Sequence, residues 1–276
     1  MDNRPIGVFD SGLGGLTAVK ELLRIMPNEN FVYFGDTGRV PYGSRSRETI
    51  IKYAKQDMAF LQSNNVKMII AACGTVSSVA SGIGDELSLP YTGVLKPTAR
   101  TAASVTKNKK VGVIATTATI RSGSYRRELQ AIDPQIEVFE KDCPLFVPLV
   151  ENGFIDDNEE ITRLVAQRYL TPLKEAGIDT LILGCTHYPI IRNIISGVLG
   201  SGVTLIDSGR ETALFCAETL KKKDLLSDRT EEGDCSFFVS DRVEGFSQIA
   251  GIFLGRNIKN EVSHVDIDLY EKTKYD

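Results

Sequence analysis

The sequence predicts an α/β protein of two pseudo-symmetric three-layer α/β/α lobes. Each lobe is built on a mainly parallel sheet, and the active site lies in the cleft between them. Three observations lead to this fold class. Short, continuous apolar runs alternate with segments whose apolar residues recur at helical spacing, as in parallel sheets covered on both faces. The order of these runs occurs twice along the 276 residues. Each half also carries a cysteine in nearly the same setting, in IIAACGTVSS (69–78) and LILGCTHYPI (181–190).

IGVFD (6–10) reads as the first strand, and Leu16, Val19, Leu22 and Leu23 mark the helix after it. FVYFGD (31–36) is the next strand, followed by a helix through Ile50, Ala54, Met58 and Leu61 and a strand at VKMIIAAC (66–73). The second half repeats the series. VGVIATTAT (111–119) echoes IGVFDSGLG, IEVFEKD (136–142) echoes NFVYFGD, TLILGCTH (180–187) echoes MIIAACGT, and VTLIDSGRETA (203–213) echoes YTGVLKPTART. The offset is about 105 residues at the first pair and 112 at the cysteines, a drift small enough to indicate tandem duplication. The remaining helix ETALFCAETL, the strand SFFV and a helix near 243–254 pack back on the first lobe. The expected lobes are therefore 1–97 plus 208–276, and 98–207, with crossovers near 96–99 and 207–210. Clefts outside the carboxyl ends of strands are where such folds bind small ligands.

Composition narrows the function. A net charge of −4 and a pI near 5.4 give no footprint for nucleic acid. No apolar run approaches the roughly 20 residues of a membrane helix. MDNRPIGVFDSG lacks the long apolar core of a secretory signal, so a cytoplasmic location is expected. The five cysteines are odd in number and widely spaced, which argues against a disulfide framework. No C-x2-C pair occurs, and only His187 and His264 offer imidazole, so no zinc site is expected. GLGGLT (12–17) has Thr17 where a dinucleotide fingerprint requires glycine, and no G-x-x-x-x-G-K-[ST] loop occurs. Neither a metal nor a cofactor is expected.

Cys73 and Cys185 each end an expected strand and precede an expected helix. A helix N-terminus favours thiolate, whose free pKa is about 8.5. One such cysteine would be an ordinary buried residue. Two at matching positions, facing each other across a cleft, place a base on each side of one carbon, which suits inversion of a carbon bearing a hydrogen. Nucleophilic catalysis needs one cysteine with a histidine base and an oxyanion hole, and leaves the second cysteine unused. Asp10 ends the first strand in DSG, either beside Cys73 or as a helix cap. His187 follows Cys185 by two residues and exchanges protons near neutral pH. Glu151 follows the apolar run CPLFVPLV. Thr75, Thr116, Thr119 and Thr186 crowd the same strand ends, where hydroxyls cap helices or hold carboxylates.

At these residues the chain resembles the glutamate racemases of the cofactor-independent aspartate/glutamate racemase superfamily. The matching stretches are IGVFDSGLGGLTAVKEL, YFGDTGRVPYGSRS, GVIATTATIRSGSY, CPLFVPLVENG and LILGCTHYPII, over roughly residues 5–215. The resemblance implies Cys73 and Cys185 as the acid/base thiols, the first acting on the D- and the second on the L-enantiomer. It implies that Asp10 assists Cys73 and that His187 assists Cys185, with Glu151 close by. Ser11, Pro41, Tyr42, Gly43, Gly74, Thr75, Thr116, Thr119 and Thr186 fall on substrate-contacting positions. It also implies glutamate as substrate, a supply of D-glutamate for peptidoglycan, and a homodimer, with no nucleic-acid or membrane partner.

One departure stands out. The family usually has A-C-N-T where this chain has ACGT, so Gly74 lacks an amide expected to bond the substrate. A hydrogen bond to a charged group is worth about 1.5–3 kcal/mol. GVIATTAT, where the family favours G-T-x-G-T, is a milder change. Racemisation of aspartate or a related acid is therefore the nearest alternative. A two-lobed amino-acid-binding module without catalysis is a more distant one, and replacing either cysteine by serine separates it from a racemase.

Overall fold

The computed structural model describes residues 1–255, 258 and 261–270. The first half runs β1 (Ile6–Asp10), α1 (Leu16–Ile25), β2 (Phe31–Gly35), α2 (Arg47–Ser63), β3 (Met68–Ala71), α3 (Gly74–Val79), β4 (Tyr91–Gly93) and α4 (Leu95–Val105). The second half runs β5 (Lys110–Ala115), α5 (Thr117–Ser122), α6 (Ser124–Ile132), β6 (Glu137–Asp142), α7 (Phe146–Glu151), α8 (Glu160–Glu175), β7 (Thr180–Leu183), α9 (Arg192–Leu199) and β8 (Thr204–Asp207). Then come α10 (Ser208–Lys222), β9 (Cys235–Val239), α11 (Val243–Leu254) and β10 (Val262–His264).

The strands form two sheets, ordered β10-β9-β2-β1-β3-β4 and β6-β5-β7-β8, and every described pairing is parallel. Within them, β2-β1-β3-β4 and β6-β5-β7-β8 have the same order, so the echo in sequence is an echo in topology. The central strands are apolar and buried throughout: β1, β2, β3 and β7 each have every residue buried. Such strands need a helical layer on both faces, and the amphipathic helices supply it. Leu16, Val19 and Leu22 bury one side of α1, and α10 lies along that helix. SFFV lies in β9, which pairs with β2, and 243–254 forms α11, which packs on α1. The strand β10 at the sheet edge had no counterpart in the sequence reading. Residues 256–257, 259–260 and 271–276 of the expected first lobe lie outside the described residues.

The strands stop earlier than their apolar runs. Phe9 pairs with Ala71, and β3 ends there, so Cys73 stands beyond the ladder as the N-cap of α3. Likewise β5 ends at Ala115 and Thr116 caps α5, its side chain accepting a hydrogen bond from the Thr119 N–H. β7 ends at Leu183, leaving Gly184 to His187 in a turn before a single 3₁₀ turn, Tyr188–Ile191. In each case the sheet register runs out there: the last paired residues are Phe9 with Ala71, Ala115 with Asp142, and Leu183 with Asp207. The carboxyl ends of both sheets thus shed their polar residues into one cleft.

Candidate active site

The cleft between the sheets holds a cavity of about 660 Å³. Asp10 and Ser11 reach it from the end of β1, Pro41, Tyr42 and Gly43 from the loop after β2, and Cys73, Gly74 and Thr75 from the start of α3. From the other side come Thr116 after β5, Glu151 at the end of α7, and Cys185, Thr186 and His187 after β7. Thirteen of the fourteen site residues expected from the sequence border this one cavity. Thr119 is the exception. It is fully buried one layer back, its hydroxyl 3.0 Å from that of Thr116. The first turn of α5 points residue 119 at its own cap, so it holds Thr116 rather than facing the cavity.

The two thiols have different company. The Cys73 Sγ–H points at the Ser11 hydroxyl, 3.7 Å away. Burial pushes this thiol up to about 12, the Asp10 charge adds to that, and the Val76 N–H and Ser11 only partly offset it. The expected gain from a helix N-terminus is therefore outweighed at Cys73 by desolvation. Asp10 is itself buried and accepts the Gly12 N–H at 3.0 Å. Burial raises its carboxyl above the usual range, against the pull of the His187 charge and of nearby backbone N–H groups.

Cys185 is followed by a turn and not by an α-helix, so no helix terminus acts on it directly. Its partner is His187. Nδ1 of that ring lies 3.9 Å from Cys185 Sγ, and Nε2 lies 2.9 Å from Glu151 Oε1. Burial works against a charge on His187, but its bonds to Cys185 and Glu151, and their charges, outweigh it and carry the imidazole up to about 10. Phe253 of α11 stands edge-on to the ring at 5.6 Å and closes its remaining side.

Close approaches of backbone join the walls. A Cβ built on Gly74 would lie 2.4 Å from the Gly184 carbonyl oxygen, and one on Gly14 would lie 2.1 Å from Thr186 Oγ1. The departure at Gly74 is thus more than a lost amide. In this structure no side chain fits there, because the α3 N-terminus meets the turn before Cys185 backbone to backbone. Hydroxyls bridge the same seam: Thr75 and Thr116 are 3.1 Å apart, and Thr17 Oγ1 lies 2.8 Å from the Thr186 carbonyl.

Sequence reasoning missed Thr117, Arg121 and Cys143, which also border the cavity. The Arg121 side chain makes no ion pair or hydrogen bond among the described residues, and it sits in TIRSG, directly after the threonine run. Cys143 opens CPLFVPLVE, the run that flagged Glu151. Its sulfur contacts the Lys141 carbonyl at 3.7 Å, and burial raises the thiol far above its ordinary value. Among the described residues no group of three or more His, Cys, Asp or Glu side chains is placed to hold a metal ion. Nor is any helix there long and apolar enough to cross a membrane.

A model of the Asp/Glu/hydantoin racemase family matches residues 15–216. The glutamate racemase of Geobacter metallireducens is 46% identical over 253 residues, 91% of this chain and 93% of that protein. A crystal structure of a glutamate racemase isoform from Bacillus anthracis superposes with a TM-score of 0.92 at 37% identity, covering 96% of this chain and 98% of that one. The Francisella tularensis glutamate racemase, solved in complex with D-glutamate, superposes with a TM-score of 0.90 at 39% identity over 98% of this chain and all of that one.

Proposed function

The chain belongs to the Asp/Glu/hydantoin racemase family, and on that premise we propose that it interconverts L- and D-glutamate through two thiols, without a cofactor. One observation carries the reading: thiols from equivalent positions of two sheets border one cavity, Cys73 against the Ser11 hydroxyl and within reach of the Asp10 charge, Cys185 against the His187 imidazole.

With L-glutamate bound, the Cys185 thiolate takes the α-proton, and the electron pair of the broken C–H bond spreads into the α-carboxylate. The Cys73 thiol then gives its proton to the opposite face of the carbon. D-glutamate forms, Cys73 is left as thiolate and Cys185 as thiol, and D-glutamate runs the same steps backwards. His187, protonated between Cys185 and Glu151, stabilises the thiolate on its side. Asp10 and Ser11 serve Cys73. Ser11, Pro41, Tyr42, Gly43, Gly74, Thr75, Thr116 and Thr186 form the walls that orient the substrate, and Thr119 acts through Thr116.

The division into 1–97 plus 208–276 and 98–207 is part of this reading, with each half delivering one thiol. So are a cytoplasmic homodimer and a supply of D-glutamate to peptidoglycan, which rest on the family resemblance. Light scattering of the purified protein tests the dimer.

The test of the reaction is proton NMR of reduced protein in D2O with L-glutamate and no added cofactor. Loss of the α-proton signal together with D-glutamate is the expected result. Exchange with L-aspartate alone would keep the mechanism and change the substrate. No exchange with either, from folded protein, would overturn the reading.

A further inference from the structure

Behind the Tyr42 wall lies a buried cluster that, Tyr42 apart, the reaction above does not use. Asp57 and Gln56 project from α2, Asp36 from the end of β2, and Arg39 and Tyr42 from the loop between them. Asp36 and Asp57 are both fully buried, and among the described residues Arg39 is the cation that ion-pairs with them. The Arg39 Nε–H donates to Asp36 Oδ2 at 2.7 Å, and the Nη2–H to Asp57 Oδ1 at 3.1 Å. Nη1 donates to Gln56 Oε1, and the guanidinium lies 4.1 Å from the ring centre of Tyr53. Ser240, just past β9, donates to Asp36 Oδ1 at 2.7 Å.

The Tyr42 hydroxyl touches both carboxyls, Asp36 Oδ2 in a short contact and Asp57 Oδ2 at 3.1 Å. A phenol has one proton and cannot donate to both. If it serves Asp36 at the shorter contact, then Asp57 Oδ2 must be the donor to the phenol oxygen, and Asp57 must carry a proton. Every bond then has one donor, and one cation faces one anion. The opposite count leaves two buried carboxylates against a single guanidinium, an arrangement burial penalises.

We propose that Asp57 is a protonated positioning residue which, through Tyr42 and Arg39, holds the 40–44 wall of the cleft in its substrate-facing place. The charges facing Asp57 agree. Burial raises its carboxyl well above the ordinary range, Asp36 and the more distant Asp10 push the same way, and Arg39 and the Tyr42 bond oppose them. That wall carries Val40, Pro41, Tyr42 and Gly43, all of which border the cavity. Its effect on substrate rests on the glutamate reading, whereas its protonation does not.

Two measurements test it separately. The first is the pH dependence of thermal stability in wild type and Asp57→Asn, whose amide donates to Tyr42 and accepts from Arg39 as a protonated acid would. A carboxyl raised in the folded state stabilises below its unfolded pKa of about 3.9 and loses that contribution as pH climbs towards the folded value. The Tm of Asp57→Asn should therefore gain on wild type steadily from pH 4 upwards. Asp36→Asn should lose the same pH dependence, because the one remaining carboxyl can then ionise against Arg39. Parallel curves for wild type and Asp57→Asn between pH 4 and 8 would overturn the proposal, with or without racemase activity. The second is steady-state racemisation of glutamate. Asp57→Ala should raise KM at least fivefold with a smaller change in kcat, and Asp57→Asn should restore KM to within about twofold. Equal KM in all three would remove the positioning role. A wild type without activity would instead count against the glutamate reading and leave the thermal test standing.

Discussion

The half of the site around Cys73 and the half around Cys185 share a strand order but not a chemistry. Cys73 follows β3 and is answered by Asp10 from the end of β1, one strand away in the same sheet. In the second sheet the strand equivalent to β1 is β5, and the residue after its last, Thr116, has no charge to offer. Cys185 instead finds its partner two residues along its own turn, in His187, which Glu151 holds from α7. The duplicated frame fixes where two thiols stand, and unrelated local additions decide their protonation. Burial and the Asp10 charge raise the Cys73 thiol, while His187 stands beside Cys185.

The sharpest way to break this comparison is to remove one thiol at a time. Cys73→Ser and Cys185→Ser should each lower racemisation by about 10²–10⁴-fold, the range for losing a positioned acid or base. Chiral chromatography after incubation with each enantiomer reads it. Near-normal turnover in either variant would mean that one half suffices, and the comparison would have no functional content.

Next in size are the partners. His187 keeps its proton up to about pH 10 because Cys185 and Glu151 hold it there. His187→Asn removes the cation beside Cys185, and we expect a loss of about 10–100-fold near neutral pH. Asp10→Asn takes a negative charge from beside Cys73, so that thiol should titrate below its value of about 12, and iodoacetamide should alkylate it faster at pH 8. The overall equilibrium forces equal losses of kcat/KM in the two directions. Side-specific roles must therefore show in the α-deuterium isotope effect, larger from L-glutamate in one variant and from D-glutamate in the other. Identical isotope effects in both directions for both variants would merge the two halves into one.

Much of this arrangement was legible before any coordinates. The strands announced themselves because doubly covered parallel strands are continuously apolar, and the cysteines because they break two such runs at the same place. What stayed hidden depends on contacts far apart in sequence. In α2 the apolar positions Ile50, Ala54 and Met58 marked the core face. Nothing local showed that Gln56 and Asp57, on an adjoining face, would also be buried, because their partners Asp36, Arg39 and Tyr42 lie some 15 to 20 residues away. Helix-terminus reasoning at Cys73 failed for a related reason. A sequence shows that a helix starts there but not how dry its surroundings are, and dryness is the larger effect. Thr119 looked equivalent to Thr116 in the run TTAT, and only the turn of α5 sets one behind the other.

The smallest expected effect concerns the seam that holds the two halves in register. At Gly74 a Cβ would meet the Gly184 backbone carbonyl oxygen at 2.4 Å, and the two residues adjoin Cys73 and Cys185. Gly74→Ala therefore cannot be absorbed by swinging a side chain aside. The α3 N-terminus and the turn before Cys185 must separate, at a cost of about 1–3 kcal/mol for an overpacked contact. Both thiols and both partners remain, so chemistry should survive with kcat/KM for glutamate reduced about tenfold and Tm lowered by a few degrees. Gly74→Asn restores the amide usual in the resembling enzymes and meets the same oxygen. A net gain in glutamate affinity would show that the hydrogen bond outweighs the strain, and a net loss that this chain has exchanged the amide for closer contact. Unchanged activity and Tm in Gly74→Ala would mean that the halves part there at no cost, and the distance between the two thiols would then be set by other contacts across the seam, among them Thr17–Thr186, Thr75–Thr116 and Ser124–Ser78.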